Sequence, residues 1–313
     1  MPSTARARHR RAIPLRARVW RLAVVAISLG SIAAVLAYLA VGRGGGGLND
    51  TVMAGGVSPA PSAAGANVSP LVSLAPTASA SPVFALRPPV TVLEIGDSLG
   101  LDLGYGLGDV LAGDADVHLV QAAKGDSGLV RSEFYDWPRH LDDLLAQHHP
   151  DVVVVFLGAN DGQDFYQDGA SQDFGTAAWQ AIYRERVATM MHEATAAGAR
   201  VLWVGMPIMR DAGFSDMMRL LNGIYQDEAA MHPGVTYFSS WDVFAAPDGA
   251  YAKTMTDADG GAIVLRAPDG IHIAFGSGGG GADVLAAAVV DEMRAIYGMP
   301  AAPSGPSGSG GAG

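Results

Sequence analysis

The chain has 313 residues, and 49% of them are apolar, so it is long enough for one large folded domain with a sizeable core. Residues 1–43 contain eight arginines and no acidic residue. The rest of the chain contains twelve Lys and Arg residues and all 31 Asp and Glu residues, so it carries a net negative charge. This acidic body argues against nucleic acid as a partner, and the absence of cysteine excludes disulfides and thiolate metal ligands.

The first feature along the chain is an uncharged apolar run of 20 residues, Leu22 to Val41, which is long enough to span a bilayer. Seven arginines lie in the basic segment 1–21 before it and only Arg43 follows closely, so the positive-inside rule predicts a cytoplasmic N-terminus. A cleaved signal peptide is the alternative, but its apolar core is normally about 7–15 residues long. We therefore expect residues 22–41 to be an uncleaved transmembrane signal anchor.

Residues 42–86 and 300–313 are rich in Gly, Ala, Ser and Pro. Segments of this composition cannot bury enough apolar surface to offset the entropy lost on ordering. The sequence therefore predicts a disordered linker, one folded domain over residues 87–299, and a disordered tail.

Strand and helix patterns alternate through this domain. The predicted strands are short, apolar and rich in β-branched or aromatic residues: Val90–Ile95, Val117–Gln121, Val152–Leu157, Arg200–Gly205 and Val235–Ser239. The predicted helices between and after them are about Gly104–Leu111, Trp137–Gln147, Ala177–Ala197, Ser215–Ala230 and Ala282–Tyr297. Such alternation predicts an α/β fold, a three-layer α/β/α sandwich with a doubly wound, mainly parallel sheet of about five strands.

Polar residues follow several of these strands at their carboxyl ends. Because the carboxyl ends of parallel strands share one edge of the sheet, residues distant in sequence are expected to meet there. The blocks are Gly96-Asp97-Ser98, Lys124-Gly125-Asp126-Ser127-Gly128, Gly158-Ala159-Asn160-Asp161 and, before the last helix, Asp269-Gly270-Ile271-His272.

In this order the four blocks resemble the SGNH (GDSL-type) serine hydrolase superfamily, over about Val90 to Tyr297. The resemblance implies a flavodoxin-like sandwich and no cofactor. It assigns Ser98 as the nucleophile, Asp269 and His272 as the rest of the triad, and Ser98, Gly128 and Asn160 as oxyanion-hole donors. Gly125 stays open as an alternative to Gly128.

These residue types suit acyl transfer. The Ser98 hydroxyl is a poor nucleophile until a base such as neutral His272 takes its proton. Asp269, three residues before the histidine, can hold the imidazole tautomer and stabilise the imidazolium. The backbone amides of Ser98 and Gly128 and the side-chain amide of Asn160 can donate to a tetrahedral oxyanion, each such donor being worth roughly 3–4 kcal/mol.

Four charged residues beside the blocks are further candidates for substrate binding. Asp97 and Asp161 are more typical of helix or turn caps, which is the role we favour for both. Lys124 and Arg131 flank the second block, where they either hold an anionic group of the substrate or form surface salt bridges.

Met209 and Arg210 follow the fourth strand, and this position alone suggests that they line the pocket.

A metal centre is not expected. Metallophosphoesterase sites need clustered histidines and aspartates, whereas this sequence has a single histidine, His272, near any strand end.

The predicted anchor and three short segments resemble those of the envelope-anchored bacterial branch of the superfamily. The segments are Lys124 to Arg131, Trp203–Pro207 and Leu265-Arg266. This resemblance implies that the protein is anchored in the bacterial inner membrane with its catalytic domain in the periplasm. The predicted function is hydrolysis of small O-acyl esters, with O-acetyl groups on envelope polysaccharide or peptidoglycan as the favoured substrate. An O-acyltransferase and a non-catalytic glycan-binding or assembly module remain alternatives, and no protein partner is indicated.

Overall fold

A computed structural model describes residues 85–275 and 279–299 of the chain. The predicted signal anchor, nearly all of the linker and the C-terminal tail lie outside these residues. Within the described ranges, no helix combines the length and the apolar character needed to cross a membrane.

The centre of the fold is a sheet of five parallel strands in the order β2-β1-β3-β6-β7. After β1 the chain adds β2 on one side of it and then β3, β6 and β7 on the other side. The strand order therefore reverses between β1 and β3. Ligands of open α/β sheets bind at such a switch point, outside the carboxyl ends of the strands. The sheet strands are β1 (Val90–Gly96), β2 (Val117–Gln121), β3 (Val152–Phe156), β6 (Arg200–Val204) and β7 (Val235–Phe238).

Helices flank this sheet. Helix α1 packs against α6, while α3 contacts both α2 and α4. The predicted three-layer α/β/α sandwich with a five-stranded parallel sheet is therefore confirmed. The helices are α1 (Ser98–Val110), α2 (Trp137–His148), α3 (Ala177–Ala196), α4 (Ala212–Met231), α5 (Ser240–Phe244) and α6 (Gly281–Tyr297).

Helix α1 begins at Ser98, six residues before the predicted start at Gly104. The Asp97 side chain caps it by accepting a 2.9 Å hydrogen bond from the Leu99 backbone N–H. Its glycines lower intrinsic helix propensity, but at Gly106 tertiary packing requires a glycine. A Cβ atom on Gly106 would lie 2.2 Å from the carbonyl oxygen of Ala282, so this glycine allows α1 to approach α6 closely.

Helix α4 also begins earlier than predicted, at Ala212 instead of Ser215, because Asp211 caps it by accepting from the Phe214 N–H at 2.9 Å. Three other features were not predicted: the short helix α5, the hairpin of β4 (Phe165–Gln167) and β5 (Ala170–Gln172), and the hairpin of β8 (Thr254–Thr256) and β9 (Ala262–Val264). The hairpin strands have three residues each and are largely exposed, so they leave no clear apolar pattern in the sequence.

Candidate active site

Ser98 is the first residue of α1, directly after the carboxyl end of β1. Its Oγ lies 3.0 Å from Nε2 of His272, a contact between residues 174 positions apart in the chain. Among the described residues, no acceptor is found for the Ser98 backbone N–H. The serine thus combines a partner base with a free donor at a helix N-terminus, where negative charge is favoured.

His272 is in turn held by Asp269. Its Nδ1 lies 2.7 Å from Oδ2 of Asp269, and Oδ1 of the same carboxylate accepts from the backbone N–H groups of Ile271 (2.8 Å) and His272 (3.0 Å). Burial acts to raise the pKa of Asp269, but these hydrogen bonds outweigh it, and the pKa lies below its ordinary value. An ionised Asp269 therefore orients the imidazole with Nε2 facing the serine.

Arg210 supports the loop that carries Asp269 and His272. Its guanidinium donates to the carbonyl oxygens of Pro268 and Asp269, both at 2.6 Å. Its backbone N–H donates to the carbonyl oxygen of Gly270 at 3.1 Å. The structure therefore places this exposed side chain against the loop backbone, and its expected pocket-lining role stays a prediction.

Met209, by contrast, is only 2% exposed, and its sulfur contacts the guanidinium of Arg266 at 3.3 Å, so the structure does not place it in a pocket wall. Arg266 is fully buried and donates to the carbonyl oxygens of Ile208 and Ile271, both at 2.5 Å. Burial lowers its pKa to about 10. The only sequence signal of this support was an arginine within an otherwise apolar stretch before the Asp-Gly-Ile-His block.

Asp97 joins the end of β1 to the loop after β3. Besides capping α1, it accepts hydrogen bonds from the backbone N–H groups of Gly158 (2.9 Å) and Ala159 (2.7 Å). The side chain is fully buried, and burial raises its pKa to about 6 despite these bonds. Asp97, the residue before Ser98, therefore positions the loop that carries Asn160.

Asp161 makes the corresponding link between Asn160 and the second block. It accepts from the backbone N–H groups of Leu129 and Val130, both at 3.1 Å, and from the Tyr183 hydroxyl at 2.8 Å. Burial raises its pKa. Like Asp97 it has no exposed surface, so neither carboxylate is placed to contact a substrate. Asp97 caps α1 as expected, whereas Asp161 holds the backbone of the second block instead of capping the turn after β3.

Asn160 and Gly128 lie side by side. The Asn160 amide donates one hydrogen bond, 2.9 Å long, to the carbonyl oxygen of Ser127, and no second acceptor for it is found in the described part of the chain. A Cβ on Gly128 would lie 2.2 Å from Oδ1 of Asp161 and 3.6 Å from Cβ of Asn160. The neighbouring Gly125 lies instead against Leu101. The geometry thus pairs Asn160 with Gly128 as the candidate oxyanion donors.

Lys124 and Arg131 do not form the surface salt bridges considered from the sequence. No carboxylate of the described residues comes within 4.0 Å of either charge. Both lie over the ring of Phe134, at 5.9 Å for Lys124 Nζ and 5.3 Å for Arg131 Cζ.

Sequence reasoning missed Asp102. It lies on α1 one turn after Ser98, is 5% exposed, and accepts a hydrogen bond from the backbone N–H of Ile273. Burial raises its pKa to about 6, while the bond from Ile273 and the nearby charge of His272 oppose this rise. The available signal was its position four residues after Ser98, since that spacing places both residues on the same helix face.

Taken together, the site offers a serine at a helix N-terminus, a base oriented by a carboxylate, and the neighbouring candidate donors Gly128 and Asn160. This arrangement can deprotonate a hydroxyl, direct it at a carbonyl carbon and stabilise the resulting oxyanion.

Comparison with known proteins gives one family match. A family model described as "Protein of unknown function (DUF459)" matches residues 91–292. None of the curated proteins matches the chain.

Several solved structures are similar to it. A catalytic mutant of an acetylxylan esterase from Geobacillus stearothermophilus is 14% identical, with a TM-score of 0.48 over 68% of this chain and 98% of that chain. A GDSL-like lipase from Bacteroides thetaiotaomicron is 12% identical, with a TM-score of 0.47 over 66% and 88%. The psychrotrophic esterase EstA from Pseudoalteromonas sp. is 20% identical, with a TM-score of 0.40 over 65% and 94%.

Proposed function

The chain belongs to the family described as "Protein of unknown function (DUF459)", and for this member, which has the SGNH hydrolase fold, we propose the activity of a serine esterase that hydrolyses small O-acyl esters. The observation that carries the proposal is the pair of consecutive contacts from Ser98 Oγ to His272 Nε2, 3.0 Å, and from His272 Nδ1 to Asp269 Oδ2, 2.7 Å. Nucleophile, base and orienting carboxylate are thus each within hydrogen-bond reach of the next.

In the proposed reaction, Ser98 Oγ attacks the ester carbonyl carbon as His272 Nε2 takes its proton. The Asp269 carboxylate stabilises the imidazolium formed. The N–H groups of Ser98 and Gly128 and the Asn160 amide receive the oxyanion of the tetrahedral intermediate. His272 then protonates the leaving alcohol, and water, activated by the same base, releases the acyl group from Ser98.

The openness of the site supports a small acyl group carried by a large molecule. The side chains of His272 and Asp269 are 36% and 45% exposed, so the triad is accessible to an ester on a polymer surface. A long acyl chain would gain most from a deep apolar channel, because burial of its methylenes drives its binding. We therefore propose O-acetyl groups on envelope polysaccharide or peptidoglycan as the substrate.

The location is also proposed. The uncharged run of residues 22–41 and the seven arginines before it support a single-pass inner-membrane anchor with the hydrolase domain on the periplasmic side.

The test uses the full-length chain in detergent with p-nitrophenyl acetate and p-nitrophenyl octanoate. Ser98→Ala and His272→Ala are expected to abolish hydrolysis while circular dichroism stays unchanged, and the acetate is expected to be the better substrate. Ser171→Ala, at an exposed serine on β5, and His118→Ala, at an exposed histidine on β2, are matched controls that should keep full activity. Equal rates in the wild type and in Ser98→Ala would disprove the proposal.

A further inference from the structure

Two cations and an aromatic ring form an exposed cluster on the segment between β2 and α2. Lys124 and Arg131 both lie within 6 Å of the centre of the Phe134 ring, and Phe134 is 47% exposed. We call these three residues the 124–134 cluster. A cation over an aromatic face is a favourable contact, so the ring holds both charges in place at the surface.

The cluster has no neutralising partner in the described part of the chain. Arg184, Arg219 and Arg294 each pair with a carboxylate. Asp126 and Glu133 lie on the same segment as the cluster, yet neither brings an oxygen within 4.0 Å of the two cations. The two like charges beside one ring are therefore left without an ion pair by the described residues and can attract an anionic group.

The backbone of the cluster is tied to the catalytic edge at two points. The Lys124 N–H donates to the carbonyl oxygen of Gly96, two residues before Ser98, at 2.7 Å. The Arg131 N–H donates to the carbonyl oxygen of Gly128 at 3.2 Å. The backbone at both cations is therefore tied to residues beside Ser98 and at Gly128, a candidate oxyanion donor.

We propose that the 124–134 cluster binds an anionic group of the substrate, so that the esterase acts on acylated polymers that carry carboxylate or phosphate groups. This inference rests on the proposed function and specifies its substrate class. Arg131 offers the planar fork that matches carboxylate and phosphate oxygens, and Lys124 adds a second charge nearby. The polymer is placed by this contact while its acyl ester reaches Ser98.

The test compares four substrates of the full-length chain: p-nitrophenyl acetate, acetylated dextran, acetylated polygalacturonate and acetylated poly(glycerol phosphate). The last three are a neutral, a carboxylate-bearing and a phosphate-bearing polymer, so the two polyanions distinguish the source of the charge. The double variant Lys124→Gln with Arg131→Gln removes both charges. Arg219→Gln is the matched control, since Arg219 also lies over an aromatic ring, that of Trp241 at 4.6 Å, but is paired with Asp216.

We expect the double variant to lose about five- to tenfold in kcat/KM on a polyanion, mostly through KM, while p-nitrophenyl acetate hydrolysis stays within about twofold. About 0.5 M NaCl should remove most of the difference between the wild type and the variant. Equal wild-type efficiency on the neutral and both anionic polymers, or an equal loss on every substrate, would overturn the proposal.

Binding separates this proposal from the esterase activity. Unacetylated polygalacturonate and poly(glycerol phosphate) are titrated into Ser98→Ala, with and without the two Gln substitutions. Binding of either polymer that weakens with the substitutions supports the cluster even if no ester is cleaved. Absence of binding to both overturns it even if p-nitrophenyl acetate is hydrolysed.

Discussion

Asp102 accepts a hydrogen bond of 2.9 Å from the backbone N–H of Ile273, the residue that follows His272. Asp102 lies one turn beyond Ser98 on α1, so this bond joins the helix that carries Ser98 to the loop that carries His272. The same loop is also held by Arg210 and by the buried Arg266. The distance between Ser98 Oγ and His272 Nε2 therefore depends on side chains that take no direct part in the reaction.

Replacing Asp102 by Asn tests this positioning role. The amide oxygen of asparagine carries no charge, so it accepts a weaker hydrogen bond from the Ile273 N–H than the Asp102 carboxylate does. The loop should therefore be held less firmly against α1. We expect kcat for p-nitrophenyl acetate to fall about tenfold, with little change in KM. Asp109→Asn, at an exposed aspartate on the same helix, is the control and should behave as wild type. An unchanged kcat in Asp102→Asn would show that the bond has no positioning role.

Asn160→Ala tests the oxyanion site. Removing one preorganised donor to the tetrahedral oxyanion typically costs about 10²–10³ in kcat. Because this donor acts mainly on the transition state, KM for p-nitrophenyl acetate should change little. Steady-state kinetics give both values, and circular dichroism checks that the loss of the bond to Ser127 leaves the fold intact. A rise in KM at constant kcat would instead assign Asn160 to substrate binding.

Asp97 makes the stability of the fold depend on pH. Burial raises its pKa from 3.8 to about 6, so the folded protein binds the proton more tightly than the unfolded chain does. Its contribution to the free energy of unfolding is therefore greatest below about pH 4 and is lost as the pH rises through about 6. The loss is about 3 kcal/mol for a shift of this size.

Urea unfolding between about pH 4 and pH 7 measures this effect against Asp97→Asn. The variant is less stable at every pH, because its amide faces the N–H groups of Gly158 and Ala159. The gap between wild type and variant should be largest near pH 4 and should narrow as the pH rises through 6. A gap that stays constant would mean that Asp97 has no raised pKa.

Two glycines of α1 provide a matched test of its packing. Gly106→Ala places a Cβ 2.2 Å from the Ala282 carbonyl oxygen and should lower the free energy of unfolding by about 1–3 kcal/mol. Gly108→Ala, two residues on, meets only Gln121 at 3.6 Å, and should raise stability by up to about 1 kcal/mol through helix propensity. Thermal unfolding distinguishes them, and equal effects of the two substitutions would contradict the close contact between α1 and α6.

The sequence predicted the elements whose pattern is local. Strand β3 is an uninterrupted apolar run of β-branched residues that ends in Phe156, and it is buried on both faces, so composition alone identifies it. Ser98 and Asn160 follow the carboxyl ends of β1 and β3, and a parallel sheet brings such positions together. The fold and the order of the blocks could therefore be predicted.

The supports of the site could not be predicted, because their partners are distant backbone atoms. Arg210 donates to carbonyl groups 58 and 59 residues away, and nothing in its neighbours indicates this. The start of α1 was missed for a related reason, since helix propensity penalises Gly100, whereas the Asp97 cap and the packing of α1 determine the observed boundary.

The most direct test of the central claim is the covalent labelling of Ser98. A fluorophosphonate reacts with a serine that an adjacent base has activated and remains attached to its Oγ. Intact-mass and peptide mass spectrometry of the full-length chain should show one phosphonyl group per chain, located on Ser98, and none on Ser98→Ala. An unlabelled wild type, or equal labelling of Ser98→Ala, would contradict the assignment of Ser98 as an activated nucleophile.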